Sequence, residues 1–298
     1  TAYRKGGHGS ISLKESIMQS CNVAMMRIGA MMGKSIFTKY QAIFGMGQKT
    51  GVDLPGEADA AGLVYTADKM GPTELATNAF GQNYNCTMIQ MAAALCSVIN
   101  GGSYYEPHVV KQILNDQGSV VETKDPVLVR ETVSPSTAEF LREAMFETVE
   151  TGTGGAAKVA GYHIGGKTGT AEKQPRSAKN YLLSFAGFAP VEDPQLFVYV
   201  VVDVPNYPPG PQQAHSSFAS GIFAKIMKDA LPYMNVFPEE GTEGENSAGE
   251  TAEEGINAPS ESETEAQGQD ETPAETKAYE TDEYIDEGYN SGAVSYTH

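Results

Sequence analysis

The stretch GYHIGGKTGTAEK, residues 161–173, is the one on which the fold turns. Read from Gly161, it fits G-x-x-x-x-G-K-[ST], the loop that cradles phosphates between a buried parallel strand and a helix. Read from Lys167, it is K-T-G, which belongs on a strand of an antiparallel sheet. The flanks decide between them. Upstream, KVAGYHI is too polar and interrupted for a central parallel strand. Downstream, GTAEKQPRSAKN holds Gly169 and Pro175 and lacks apolar helical spacing, so no helix begins at Lys167-Thr168. The run VYVVVDV mimics a strand whose terminal acid, Asp203, could hold magnesium. Val204-Pro205 and the matching run Leu182–Ala189 explain it as an ordinary sheet strand, joined to its neighbour by the turn PVEDPQ. A nucleotide site is therefore not expected.

The remaining elements agree with an antiparallel arrangement. Ser12-Leu-Lys-Glu15 is a capping box. It opens an apolar series through Leu13, Ile17, Cys21, Ala24, Met25, Ile28 and Met32, a helix or a broken pair that stops at Gly33. A second helix spans roughly 35–44, and VDLPGEADAAG is a loop. Thr87-Met-Ile-Gln90 caps a buried helix that stops at Asn100-Gly101-Gly102. Residues 108–115 and 119–123 form a hairpin about Asp116-Gln-Gly118. An amphipathic helix covers 136–151, and a last helix 216–231 carries Phe218, Ile222, Phe223, Ile226 and Met227. Helices, then antiparallel strands, then one helix make an α+β fold: an antiparallel sheet flanked by helices.

Charge divides the chain. Of its 298 residues with net charge −18, residues 238–298 hold 18 acids and one base, a balance of −17. Residues 1–237 hold 20 acids and 19 bases, an ordinary globular balance that suggests no nucleic acid partner. The tail is rich in Glu, Ser, Thr and Gly, cannot bury enough apolar surface to offset chain entropy, and is expected to be disordered. Three cysteines, Cys21, Cys86 and Cys96, have no metal-ligand spacing and read as small buried thiols. The histidines show no zinc spacing either; His8, His108, His163 and His215 read as structural or exposed. No metal and no cofactor are expected.

K-T-G occurs twice, at Lys49-Thr50-Gly51 and Lys167-Thr168-Gly169. The first follows a helix and enters a Pro-Gly turn. The second starts a strand after Gly165 and Gly166, where another backbone can approach and a peptide can add as a strand. The chain's one S-x-N is Ser20-Cys21-Asn22. Around these motifs stand GHGSISLKESIMQSCNVAMMRIG, FGMGQKTGVDLPGE, FGQNYNCTMIQMAAALCSVINGGSYYEPHVV and GGKTGTAEK followed by SFAGFAP. In order and spacing they resemble the transpeptidase domain of class B penicillin-binding proteins, the serine enzymes that cross-link bacterial peptidoglycan. The resemblance covers residues 1–237.

The resemblance implies a penicillin-binding transpeptidase and serine β-lactamase-like fold, and it implies roles. Ser20 is the proton shuttle, Asn22 orients the substrate amide and a catalytic lysine, and Lys167 places positive charge beside the substrate carboxylate. Thr168 and Gly169 lie along the substrate, with Thr168 binding its carboxylate; the Thr170 N–H is an oxyanion donor. The implied partners are peptidoglycan stem peptides ending in D-Ala-D-Ala, β-lactams and a glycosyltransferase of the cell-wall complex. The implied place is the extracytoplasmic face of the membrane, reached through an N-terminal anchor. The family's nucleophile is the serine of S-x-x-K, upstream of S-x-N. No lysine here has a serine three places before it, and only nineteen residues precede Ser20. The expectation is thus an N-terminally truncated piece of a D,D-transpeptidase, inactive alone. Two alternatives are a non-catalytic relative that binds cell-wall peptide or division partners, and a hydrolytic relative.

Composition makes one prediction of its own. Light proteolysis is expected to remove 238–298 and leave the body intact, as read by mass spectrometry of the surviving fragment. A tail protected as well as the body would contradict the reading.

Overall fold

In the computed structural model, residues 8–207 and 211–239 are described. The disorder expected of the tail falls, from residue 240 on, outside the described residues. The first compact unit spans Thr1–Glu250.

The capping box forms as the sequence requires. Ser12 Oγ accepts from Glu15 N, and the Glu15 carboxylate accepts from Ser12 N at 2.7 Å, opening helix α1, Leu13–Met18. The apolar series then breaks earlier than Gly33. Helix α2, Asn22–Ile43, starts after a three-residue interruption and kinks at Gly33, where φ is 72°. Helix α3, Pro72–Ala79, has Pro at its start and a Glu74 carboxylate accepting from Gly71 N, signals that the sequence carried but that its weak apolar spacing concealed. Helix α4, Met88–Ile99, is capped by Thr87 and Gln90 as expected.

Four short strands follow, two of them unanticipated. β1, Ser103–Tyr105, pairs with β4, Leu128–Glu131. Between them lies the expected hairpin, shorter than predicted: β2, Gln112–Leu114, and β3, Val120–Thr123. Its turn is built by Asn115, whose side-chain oxygen accepts from Gln117 N and Ser119 N. Helix α5, Pro135–Glu150, leads to the main sheet.

That sheet is fully antiparallel, in the order β5-β6-β7: Gly165–Glu172, Tyr181–Ala189 and Leu196–Asp203. Lys167-Thr168 therefore lies inside a strand with no helix after it, and the phosphate-loop pattern is only a coincidence of letters. Asp203 holds Lys173 Nζ at 2.6 Å across the strand ends. Helix α6, Ser217–Tyr233, packs on the sheet through Phe223, Met227 and Leu231, all fully buried beside Leu183 and Phe185. The Phe185 and Phe223 rings lie 4.8 Å apart, a tilted aromatic pair. The opposite face carries Phe188, which packs with Ile99 of α4 and Met145 of α5. Each such side chain contributes about 1.5–3 kcal/mol by leaving water.

Of the three cysteines, only Cys21 is fully buried; Cys86 and Cys96 are half-buried. Burial pushes the Cys96 thiol up to about 11. His163 is exposed enough to bond Glu192 through Nδ1 at 2.6 Å, with its ring tilted against Phe146 at 5.2 Å.

Gly165 and Gly166 open β5 under two phenyl rings. A Cβ at Gly165 would fall within the Phe188 ring, and one at Gly166 within the Phe185 ring. Gly165→Ala is expected to cost about 1–3 kcal/mol by overpacking. Thermal unfolding reads this directly, and an unchanged midpoint would show that the rings can yield.

Candidate active site

The site begins with the interruption between α1 and α2. Ser20 has φ +50°, a left-handed conformation that a serine adopts only when its surroundings impose it. Two short-range bonds close the turn, from Ser20 N to Ile17 O and from Cys21 N to Ser16 O. Cys21 is buried beneath, while Ser20 and Asn22 on either side are exposed. The alternation of one buried residue between two exposed ones is what S-x-N provides here.

The second K-T-G meets this turn. Lys167 Nζ donates to Ser20 Oγ at 2.9 Å and to its neighbour's carbonyl, Thr168 O, at 3.1 Å. The two side chains are 147 residues apart in sequence. The first K-T-G does something different: Thr50 N and Oγ1 both donate to Glu57 Oε1, at 2.6 and 2.7 Å, and Gly51 N bonds the other oxygen. Lys49 is exposed. That copy is a turn clamp, held to α4 by Gln90 Nε2 on Gln48 O.

Strand geometry fixes what β5 presents. Successive residues of an antiparallel strand turn their backbone N–H and C=O pairs alternately to either side. Lys173 N bonds Asn180 O, toward β6, so the odd-numbered residues of β5 serve the β5–β6 ladder. Thr168 and Thr170 then face the open edge. Their carbonyls confirm the parity, because each accepts from a side chain outside the sheet: Thr168 O from Lys167, Thr170 O from Gln82 Nε2 at 3.1 Å. The N–H groups of both threonines point the same way, and among the described residues neither reaches an acceptor. Gly169 lies between them, and a Cβ there would collide with Ser184 Oγ.

The structure thus brings Ser20, Lys167 and Thr168 together and sets Thr170 on the same edge. Asn22 opens α2 two residues after Ser20, and its side chain makes no hydrogen bond among the described residues. Sequence reasoning missed Thr153. Its hydroxyl lies 3.0 Å from Thr168 Oγ1, and its N–H and hydroxyl both reach Met18 O, at 3.3 and 3.4 Å. Thr153 therefore ties the end of α1 to β5. Its only sequence signal is the loop Gly152-Thr-Gly-Gly after α5, which fits any helix stop.

Comparison with known proteins gives the family of the chain. Residues 1–228 match the family described as the penicillin-binding protein transpeptidase domain. The chain is 39% identical over 240 residues to stage V sporulation protein D of Bacillus subtilis, covering 79% of this chain and 36% of that protein. It is 30% identical over 220 residues to the peptidoglycan D,D-transpeptidase MrdA of Acinetobacter baumannii, covering 67% and 32%. Among solved structures, the transpeptidase domain of Burkholderia pseudomallei penicillin-binding protein 3 superposes with a TM-score of 0.67 at 29% identity, covering 78% of this chain and 67% of that one. Penicillin-binding protein 3 of Mycobacterium tuberculosis, complexed with aztreonam, gives 0.66 at 27% identity, covering 78% and 53%. The chain spans about a third of the length of these two curated relatives.

Burial pushes the Lys167 ammonium down to about 8, because the charged form loses water and gains no carboxylate partner. The sign follows: below pH 8 the group is a cation, and above it a neutral amine able to accept a proton. The Lys167 13Cε shift, followed by NMR, is expected to titrate with a midpoint near 8, against about 10.4 for an ordinary lysine. A midpoint above 10 would show that the ammonium is solvated.

Proposed function

The chain belongs to the penicillin-binding protein transpeptidase family, and from that membership we propose that residues 1–237 form the C-terminal part of a D,D-transpeptidase domain. The observation that carries the proposal is the Lys167–Ser20 contact at 2.9 Å beside an open strand edge. The substrate is a peptidoglycan stem peptide ending in D-Ala-D-Ala, laid along β5 as an added strand. The reaction is acyl transfer through a serine ester.

The roles follow from the chemistry of each group. A serine outside this chain, from an S-x-x-K motif, attacks the penultimate carbonyl. The oxygen that becomes negative meets the Thr170 N–H, and losing one such donor costs about 2.7–4 kcal/mol. Ser20 passes a proton to the departing D-Ala amine. Lys167 and Thr168 hold the terminal carboxylate, a charge-assisted contact worth about 1.5–3 kcal/mol. Asn22, exposed at the start of α2, takes the substrate's amide. β-Lactams enter as mimics of the same peptide; structural neighbours with aztreonam and ampicillin bound support this. The protein works at the outer face of the bacterial membrane, anchored by a segment outside this chain, beside a glycosyltransferase that supplies glycan. Among the described residues no helix is long and apolar enough to cross a membrane. Residues 238–298 form a separate acidic tail.

The second proposal is a non-catalytic protein that binds cell-wall peptide. Fluorescent penicillin separates the two. The 298-residue chain alone is expected to show no covalent band after denaturation. In the longest natural form of the protein, labelling is expected, with Lys167→Ala abolishing it and Lys49→Ala leaving it unchanged. An unlabelled natural protein supports the non-catalytic proposal, and equal loss from both lysine variants refutes the choice of motif.

A further inference from the structure

Helix α3 ends in an unusual loop. Gly81 and Asn83 both have positive φ, 86° and 66°, and they flank Gln82. An asparagine in the left-handed region costs free energy that its surroundings must supply. They do so: Asn83 Nδ2 donates to the Tyr65 hydroxyl at 3.3 Å. Gln82 itself is anchored through its backbone. Its N–H bonds Thr77 O at 3.0 Å, and its carbonyl accepts from Asn78 Nδ2 at 3.2 Å. Asn78 is buried, 3% exposed, and its own oxygen accepts from Gln41 of α2. A fixed backbone between two left-handed residues aims one side chain outward. That side chain ends on the Thr170 carbonyl, 88 residues away.

The target is the second outward-facing pair of β5 beyond Lys167, after that of Thr168. A strand residue turns its N–H and C=O to the same side, so holding the Thr170 carbonyl fixes the direction of the Thr170 N–H. We propose that Gln82 is a positioning residue of the acyl-transfer site: its side-chain amide, anchored through Asn78, holds the Thr170 segment so that the Thr170 N–H points at the developing oxyanion. The inference rests on the transpeptidase proposal above, because only that proposal gives the Thr170 N–H a charge to meet. Preorganised donors act in the transition state more than in the bound ground state. Loss of Gln82 therefore shows in the rate of acylation and much less in the affinity that precedes it.

The test uses the longest natural form of the protein and a fluorescent penicillin, with the acylation rate constant resolved from the preceding dissociation constant. Wild type and Lys167→Ala run alongside. An unlabelled wild type, or a labelled Lys167→Ala, overturns the transpeptidase proposal and this inference with it. With those controls as expected, Gln82→Ala is expected to slow acylation tenfold or more, with the dissociation constant within threefold of wild type. Gln82→Glu keeps the shape but loses the donor when ionised, and regains an O–H when protonated. Its rate relative to wild type is expected to recover severalfold between pH 8 and pH 5, while that of Gln82→Ala does not. A loop that matters only for folding gives no such rescue. Should Gln82→Ala fail to fold, the pH profile of Gln82→Glu decides. Acylation of a folded Gln82→Ala within threefold of wild type, or faster, overturns the inference and leaves the transpeptidase proposal standing. So does a Gln82→Glu ratio that is flat with pH.

Discussion

A half-buried lysine ammonium set against a serine hydroxyl is the contact on which this site depends. Burial without a carboxylate partner pushes Lys167 down to about 8, so the pair is costly to hold. Two pieces of structure hold it. One is the left-handed turn at Ser20, locked by backbone bonds to Ser16 and Ile17. The other is β5, whose opening glycines let it run under Phe185 and Phe188. Thr153 joins them, bonding the end of α1 and the Thr168 hydroxyl from a single residue. A strained turn, a strand drawn tight against its core and a bridging threonine fix one distance between residues 147 positions apart.

The strand contributes by its alternation. Because residues 167, 169, 171 and 173 serve the β5–β6 ladder, residues 168 and 170 necessarily face outward. Side-chain and backbone functions are thereby separated along five residues. Lys167 reaches round the edge with its side chain while its backbone bonds β6. The threonines offer backbone groups directly. The identical tripeptide at 49–51 has no such frame. There a glutamate takes the Thr50 and Gly51 amides, and Lys49 is left in solvent. The letters K-T-G acquire chemistry from the ladder beside them.

That comparison marks what was legible in the sequence. The antiparallel sheet could be read, because β-branched runs separated by a polar turn have few other solutions. So could the capping boxes and the strand that carries the second K-T-G. Helix α3 was not legible, since its apolar face is only Leu75 and small alanines over eight residues, too short to stand out as a period. β1 and β4 were not either: three- and four-residue strands pair across the 22 residues 106–127, and short pairings of that kind leave no periodicity. The break at Ser20 was only half visible, because a series that continues in register through Cys21 looks like one helix. Thr153 and Gln82 lay beyond reach for a different reason. Each acts through a contact to a distant strand, and neither residue type nor spacing encodes that partner.

Hydrogen-bond direction then gives the Lys167–Ser20 pair a polarity. An ammonium can only donate, so while Lys167 is charged the Ser20 oxygen accepts and its own proton must point elsewhere. Ser20 is exposed, so that proton is free to point toward solvent. Once Lys167 loses its proton, the amine can accept, and the Ser20 hydroxyl can turn inward. With the lysine poised near 8, the two orientations differ little in free energy at neutral pH. Under the transpeptidase proposal, a hydroxyl reversed by moving one proton would serve as a two-way relay, giving a proton on one half of the reaction and taking one on the other. A fully solvated lysine would hold the relay in a single direction, and a paired one would do so more firmly. Among the described residues no carboxylate reaches Lys167, and the pair keeps both orientations within reach.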